Sequence, residues 1–431
     1  MRLVFLNACT FASSRPRRTP FGAALLFLLS ALLLLSGCTP LALPESWAGL
    51  TVDGPLINGR YDARYIYVAY RDVVFRIDLT RDAAGRVLEP NQRSTDRFVD
   101  WAARSNNNGQ MFAAPALEKR EEGVRVYVGS YNHAVYAFAP DSGVRNMPLP
   151  GWAAPIGTEK VIAEALVHGD RVYVGQGDRG IKAFSTATGA LLASFDGTGF
   201  GVWSAPVVDE ARNAIYFGAM DHHIYALDAE TLELLWRVEV GGAVAASPLL
   251  HEGVLYFGTL TSELIAVDAH MESRMAVTNQ SDRILRRYKA EGWIWSTPTL
   301  VDGTLYFGDL RGYVHAVDAA TFTPRWKAHD PERRGGIRGR VAVVDGRVIA
   351  GSESRYLRAY DAESGALTWT SSPAEGERIL GDVVVVGDMV ITTTQSEERL
   401  VVAYDLLSGG RLWGVRKPSQ DDVNRLAQAP R

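Results

Sequence analysis

Cysteine is nearly missing from this chain: Cys9 and Cys38 are the only two in 431 residues. Residues 39–431 therefore hold no disulfide of their own, and their stability must come from packing. Positive charge is not in excess either, with 45 Lys and Arg against 49 Asp and Glu and a formal net charge of −4. General nucleic-acid binding needs a basic stripe, so no nucleic-acid partner is expected. Membrane-length apolar runs are lacking too. The run at 21–35 would reach only about 22 Å as a helix, short of the roughly 30 Å hydrocarbon core. Nor does the chain carry a Cys-x-x-Cys-His haem site, a Walker loop, a dinucleotide fingerprint or a Ser-His-Asp elbow.

What is present begins with an export signal. Residues 1–37 contain Arg2, Arg15, Arg17 and Arg18 and no acid, so their removal takes the net charge from −4 to −8. A basic segment followed by a short apolar run reads as a signal peptide. Phe21 lies one place too far along for the twin-arginine pattern, and general secretion is expected. The run ends in Leu35-Ser36-Gly37-Cys38, which resembles a bacterial lipobox. That resemblance implies acylation of Cys38 and a membrane-anchored first mature residue. Residues 38–48 then read as a lipidated tether, 49–416 as the folded body and 417–431 as a polar tail.

The body repeats one motif eight times. Tyr127, Tyr173, Tyr216, Tyr256 and Tyr306 sit in Val-Tyr-Val-Gly or Leu/Ile-Tyr-Phe-Gly, with Tyr67, Ile349 and Ile391 as looser copies. Self-similarity at roughly 40–50 residues marks a blade array. An alanine follows ten residues later in six copies (Ala137, Ala183, Ala226, Ala266, Ala316, Ala359); Ala403 follows Ile391 by twelve, and Arg76 stands near that place in the first. A constant offset predicts a hairpin of fixed register. Two residues after the central residue stand Gly129, Gly175, Gly218, Gly258, Gly308 and Gly351, with Ala69 and Thr393 in the outer copies. Glycine inside a strand predicts a closely approaching neighbour, here expected to be backbone. Together these predict an all-β, eight-bladed propeller of four-stranded antiparallel blades.

Asp228, Asp318, Asp361 and Asp405 each precede a tryptophan by eight residues (Trp236, Trp326, Trp369, Trp413), with Ser or Thr three residues after the Asp. Asp and Ser/Thr can cap a tight turn, and the indole then covers a blade boundary. The pattern Ala-x-Asp-x-x-Ser/Thr-Gly-x-x-x-Trp resembles the repeat of the quinoprotein-like (PQQ-repeat) β-propellers. Ser204-Ala205-Pro206, Ser247-Pro248 and Ser296-Thr297-Pro298 resemble its inner-strand lead-in. The resemblance covers residues 50–415. An exported lipoprotein of this type is similar to the BamB-type accessory lipoproteins. It implies a non-catalytic scaffold contacting an envelope protein complex, the β-barrel assembly machinery, with outer-membrane sorting compatible with Thr39.

Quinone-dependent dehydrogenases of the resembling family bind PQQ and calcium, and many carry an adjacent cysteine pair that this chain lacks. No cofactor, metal or catalytic residue is expected, and a membrane-tethered quinoprotein oxidoreductase is the alternative. Glu164, Asp178 and Asp221 read as turn caps or solvated acids. His222-His223 would point to opposite faces of a strand and not share an ion. Three departures from the repeat are candidate partner loops: 89–110 with Trp101; 270–293 with Arg283, Arg286, Arg287 and Tyr288; and 333–340 with Arg333, Arg334 and Arg338. On an acidic protein the two basic segments could meet an acidic partner.

Overall fold

The computed structural model describes residues 47–79, 98–105, 109–142, 146–152, 160–270, 280–330, 335–371 and 377–428. Cys38 and the export signal lie outside them. Eight antiparallel sheets follow one another along the chain. The predicted register holds throughout: Tyr127 faces Ala137, Tyr173 faces Ala183, Tyr216 faces Ala226, Tyr256 faces Ala266 and Tyr306 faces Ala316. Ile349 faces Ala359, Ile391 faces Ala403, and Tyr67 faces Arg76 in the first blade.

The same alanine then faces the tryptophan of the outer strand: Ala226 with Trp236, Ala316 with Trp326, Ala359 with Trp369 and Ala403 with Trp413. Directly after it, or after Arg76 in blade 1, the register shifts in all seven four-stranded blades. This bulge sharpens the local twist of the outer strand.

Among the described residues blade 2 departs from the expectation of four strands and has three, Ala116–Arg120, Gly123–Gly129 and Val135–Phe138. The fourth place falls to Met147-Pro148-Leu149-Pro150. Its one ladder bond to the neighbouring strand is Leu149 N–H to Ala137 O at 2.7 Å, with Pro148 and Pro150 on the outward-facing positions.

The glycines are explained differently from the expectation. A Cβ on Gly129, Gly175, Gly218, Gly258, Gly308 or Gly351 would meet Val161, Val202, Val244, Ile294, Ile337 or Ile379 at 2.2–2.8 Å. The nearest neighbour is thus a β-branched side chain from the lead-in of the next blade, and at Gly175, Gly218 and Gly258 the backbone O of that residue also comes within 2.9–3.3 Å. Buried tyrosines add polar ties across the same boundaries. Tyr173 Oη donates to Ala229 O at 2.7 Å, Tyr216 Oη to Ala269 O at 3.3 Å and Tyr306 Oη to Ala362 O at 3.2 Å.

The tryptophans also work by matched volume. Trp326 and Trp369 lie against Gly365 and Gly409, where a Cβ would come within 2.6–2.7 Å of the indole. Both glycines have φ near +70° (72° and 69°), as the capped turn requires. After Ala193 and Arg286, which occupy the tryptophan register in blades 3 and 5, the next turn carries Leu232 and Phe322 instead. Each fills the space an indole would have taken, and Phe322 lies near-parallel to Tyr256 at 6.2 Å. Trp236 meets the Arg283 guanidinium at 4.7 Å.

Ring closure, open from sequence, leaves each end blade its own four strands and adds a hairpin across the seam. Blade 1 owns Gly49–Val52 as its inner strand and blade 8 owns Arg411–Val415 as its outer one. A two-residue Asn58-Gly59 turn with φ of 50° and 80° folds Leu56–Ile57 onto Arg60–Tyr61. This hairpin adds to the inner strand of blade 8, where Tyr61 pairs in parallel with Val386. Arg60 gives its Nε to Gly387 O at 2.9 Å and forks onto Asp345 of blade 7.

The presumed polar tail contains a helix, Gln420–Gln428, which seals the same seam. Ser419 and Asp422 form its capping box, with Asp422 N–H to Ser419 Oγ at 3.2 Å and Ser419 N–H to Asp422 Oδ2 at 2.8 Å. Val423 and Leu426 join one core cluster with Leu50 and Ile66 of blade 1 and Ile391 and Trp413 of blade 8.

Candidate functional site

In a propeller the inner strands line the central channel and the rims vary freely. The residue two places before each inner strand recurs at one level: Glu164, Ala205, Ser247, Thr297, Arg340 and Asp382. Neighbours on this level are joined. Ala205 N–H donates to Ser247 Oγ at 2.8 Å, and Arg340 N–H to Asp382 Oδ1 at 2.7 Å. Arg340 Nε also reaches Thr299 Oγ1 at 3.3 Å. Glu164 is half-buried on this level. Burial pushes its carboxyl up to about 8, with Asp382 adding to the rise and Arg340 opposing it. Tyr61, brought by the closing hairpin, is raised by burial within reach of Arg340, Asp382 and Glu164.

The other two acids behave as expected. Asp221 Oδ2 accepts from Gly199 N–H at 2.5 Å and Tyr225 Oη at 2.6 Å, and Asp178 Oδ1 accepts from Arg179 N–H at 2.7 Å. His222 stands at the hairpin tip with φ of 71° while His223 Nδ1 turns to Asp221 O at 2.8 Å. The lead-in serines are structural: Ser204 Oγ donates to Gly218 O at 2.9 Å and accepts from Gly218 N–H at 2.8 Å.

The candidate loops turn out differently from one another. Trp101 is buried in the outer strand of blade 1, facing Arg76 in the tryptophan register. Residues 284–289 are likewise an outer strand, that of blade 5, not a rim loop. Arg283, just before it, is buried and gives its Nη1 to Asp268 O and His270 O at 3.2 and 2.6 Å, so it serves packing. Tyr288 Oη meets His315 Nδ1 at 3.1 Å. Arg286 and Arg287 are exposed on that edge, and Arg287 pairs with Glu263 at 2.9 Å. Arg333 and Arg334 lie outside the described residues. Arg338 is placed on the rim, its guanidinium over Trp295 at 5.2 Å and its Nε on Glu353.

Beside Arg338 is a feature the sequence reading missed. Trp203 and Trp295, from the lead-ins of blades 4 and 6, meet across blade 5 with ring centroids 6.2 Å apart. Phe200 and Trp293, 51% and 37% exposed, belong to the same two lead-ins. The signal was available: Trp203-Ser204-Ala205-Pro206 and Trp295-Ser296-Thr297-Pro298 are one motif used twice. Clustered aromatics beside an arginine are the composition of a protein-binding hot spot.

Eight radial blades and an aromatic rim define a β-propeller of the PQQ-repeat class. Residues 122–329 and 310–430 match the family described as outer membrane protein assembly factor BamB, and the chain belongs to that family. Local similarity also runs to a quinoprotein ethanol dehydrogenase of Pseudomonas putida, 28% identical over 166 residues, covering 35% of this chain and 26% of that protein. A quinone-dependent 1-butanol dehydrogenase of Thauera butanivorans is 27% identical over 133 residues, covering 29% and 21%. The chain thus spans about a quarter of the length of the curated relatives it matches. Among solved structures, the computationally designed Ika8 protein superposes with a TM-score of 0.59 at 14% identity, over 86% of this chain and 97% of that one. BamB from Moraxella catarrhalis gives 0.49 at 18% identity, over 59% and 75%.

Proposed function

We propose that this protein is a lipid-anchored, non-catalytic scaffold of the bacterial cell envelope that binds the β-barrel assembly machinery during outer-membrane protein assembly. The observation that carries the reading is membership of the BamB family. The Trp203–Trp295–Arg338 cluster is the docking surface this reading assigns, because it joins aromatic area to a cation on a rim held by rigid blades. Acylation at Cys38 would tether the scaffold to the membrane that holds its partner. The test is crosslinking in native membranes from a position beside Trp295. Recovery of a barrel-assembly protein, reduced about tenfold by Trp295→Ala, is expected; recovery of no envelope protein would overturn the reading.

A second reading, a tethered quinone-dependent oxidoreductase, is favoured by the local dehydrogenase similarity. The channel level does not fit that group well. A cofactor bearing several carboxylates would meet Asp382 there, and Arg340 Nε already reaches Thr299 Oγ1. Addition of PQQ and calcium to the purified chain should leave a dye-linked alcohol oxidation at background. Saturable turnover would replace the scaffold reading.

A further inference from the structure

Where blade 5 hands over to blade 6, three groups of different chemistry converge. His315 and Asp309 come from the middle hairpin of blade 6 and are fully buried, and Glu291 comes from the connection that enters it. His315 Nε2 lies 3.0 Å from Asp309 Oδ2 and 3.6 Å from Glu291 Oε2, and all three atoms fall within 4.8 Å of one another.

Part of this cluster has an ordinary explanation. Asp309 Oδ1 accepts from Arg311 N–H and Tyr313 N–H at 2.8 and 3.1 Å, capping the hairpin much as Thr259 does in blade 5. Its Oδ2 accepts from Gly292 N–H at 2.9 Å, which fixes the incoming connection. Turn capping explains neither the imidazole in this place nor the second carboxylate aimed at it. Glu291 Oε1 is taken by Lys327, but the Oε2 atom facing His315 is buried and without a hydrogen-bond partner. A buried carboxylate oxygen left unsatisfied is costly and calls for a missing partner.

We propose that Glu291, Asp309 and His315 bind a divalent transition-metal ion of the Zn2+ type that pins blade 5 to blade 6. Tetrahedral zinc with bonds of about 2.0–2.1 Å sets its ligand atoms about 3.3–3.4 Å apart, and the two His315 distances bracket that value. One imidazole with two carboxylates suits Zn2+ better than Ca2+ or Mg2+, which prefer all-oxygen shells. The ring is held for the purpose. It stacks on Phe307 at 4.8 Å and 8°, and an Nδ1–H donated to Tyr288 Oη would leave Nε2 free to ligate. Glu291, at 26% exposure, is the side from which the ion and a fourth, water ligand would arrive.

The test uses the full chain, stripped with a chelator and titrated with Co2+. One equivalent should produce the visible ligand-field bands of a tetrahedral site, and one equivalent of Zn2+ should abolish them. Glu291→Gln, at the partly exposed ligand, should weaken Co2+ binding about tenfold or more while leaving the melting curve of the stripped protein close to that of the parent. His315→Asn should remove the bands altogether; if that variant fails to fold, Glu291→Gln decides. Absence of bands in the parent would overturn the proposal, leaving His315 Nε2–H as a plain donor to Asp309. Equal bands in the parent and Glu291→Gln would overturn it as well, by placing the ion elsewhere.

Discussion

Glu164 carries a proton in the folded protein well above the pH at which an unfolded chain would release it, 4.5 against about 8. Between those values the folded state binds more protons than the unfolded one, so stability falls as pH rises through that window and levels off above it. Glu164→Gln should remove this slope and gain on the order of 2 kcal/mol at pH 9 with no change at pH 4, read by urea denaturation at both pH values. An unchanged slope would show that the carboxyl is solvated. The glycines make a second residue-scale case. Gly258→Ala drives a methyl to within 2.2 Å of Ile294 Cγ2 and should cost about 2 kcal/mol. Combined with Ile294→Gly, which removes both the Cγ2 at 2.2 Å and the Cβ at 2.4 Å, the loss should be clearly less than additive, which a double-mutant cycle measures.

The unit that counts at the scale of elements is the boundary, built from an outer-strand residue and the capped turn of the next blade. An indole faces a glycine turn in two boundaries, and smaller or charged residues face Leu232 or Phe322 in two others. Phe322→Ala should cost about 3 kcal/mol by opening a cavity against Tyr256. Gly365→Ala should also destabilise, by strain and by collision with Trp326. Both are checked by chemical denaturation, and a neutral Phe322→Ala would refute the volume-matching account. These boundaries show what could be read in the chain beforehand. Tyr-to-Ala and Asp-to-Trp offsets are short and periodic, so they exposed hairpin register and turn chemistry directly. The prolines at 148 and 150 already told against a fourth strand in blade 2. Arg283 misled because charge predicts exposure on average, while its guanidinium here lies on Trp236 and two carbonyls. The Leu56–Tyr61 hairpin was invisible, since its partner Val386 lies hundreds of residues away and leaves no local pattern.

Across the whole molecule, the seam between the first and last blades differs from the other seven. It is held by the added hairpin, by Phe98 stacked on Trp413 at 6.4 Å and 7°, by Lys417 with Asp72 at 3.2 Å, and by the terminal helix. Val423→Ala and Leu426→Ala together should cost about 3 kcal/mol. The loss should show first as faster amide exchange in blades 1 and 8, before global unfolding changes. Uniform acceleration around the ring would mean that the helix supports the fold as a whole.

The Asn58-Gly59 turn has a temporal consequence. Its strand waits for Val384–Val386, and the helix that locks both ends follows the outer strand of blade 8. As the chain emerges the first seven blades can stack, yet an open arc persists until blade 8 and the helix at Gln420–Gln428 are available. A chain released from its N-terminal end first stays an unclosed crescent until then, with the flank of blade 1 bare.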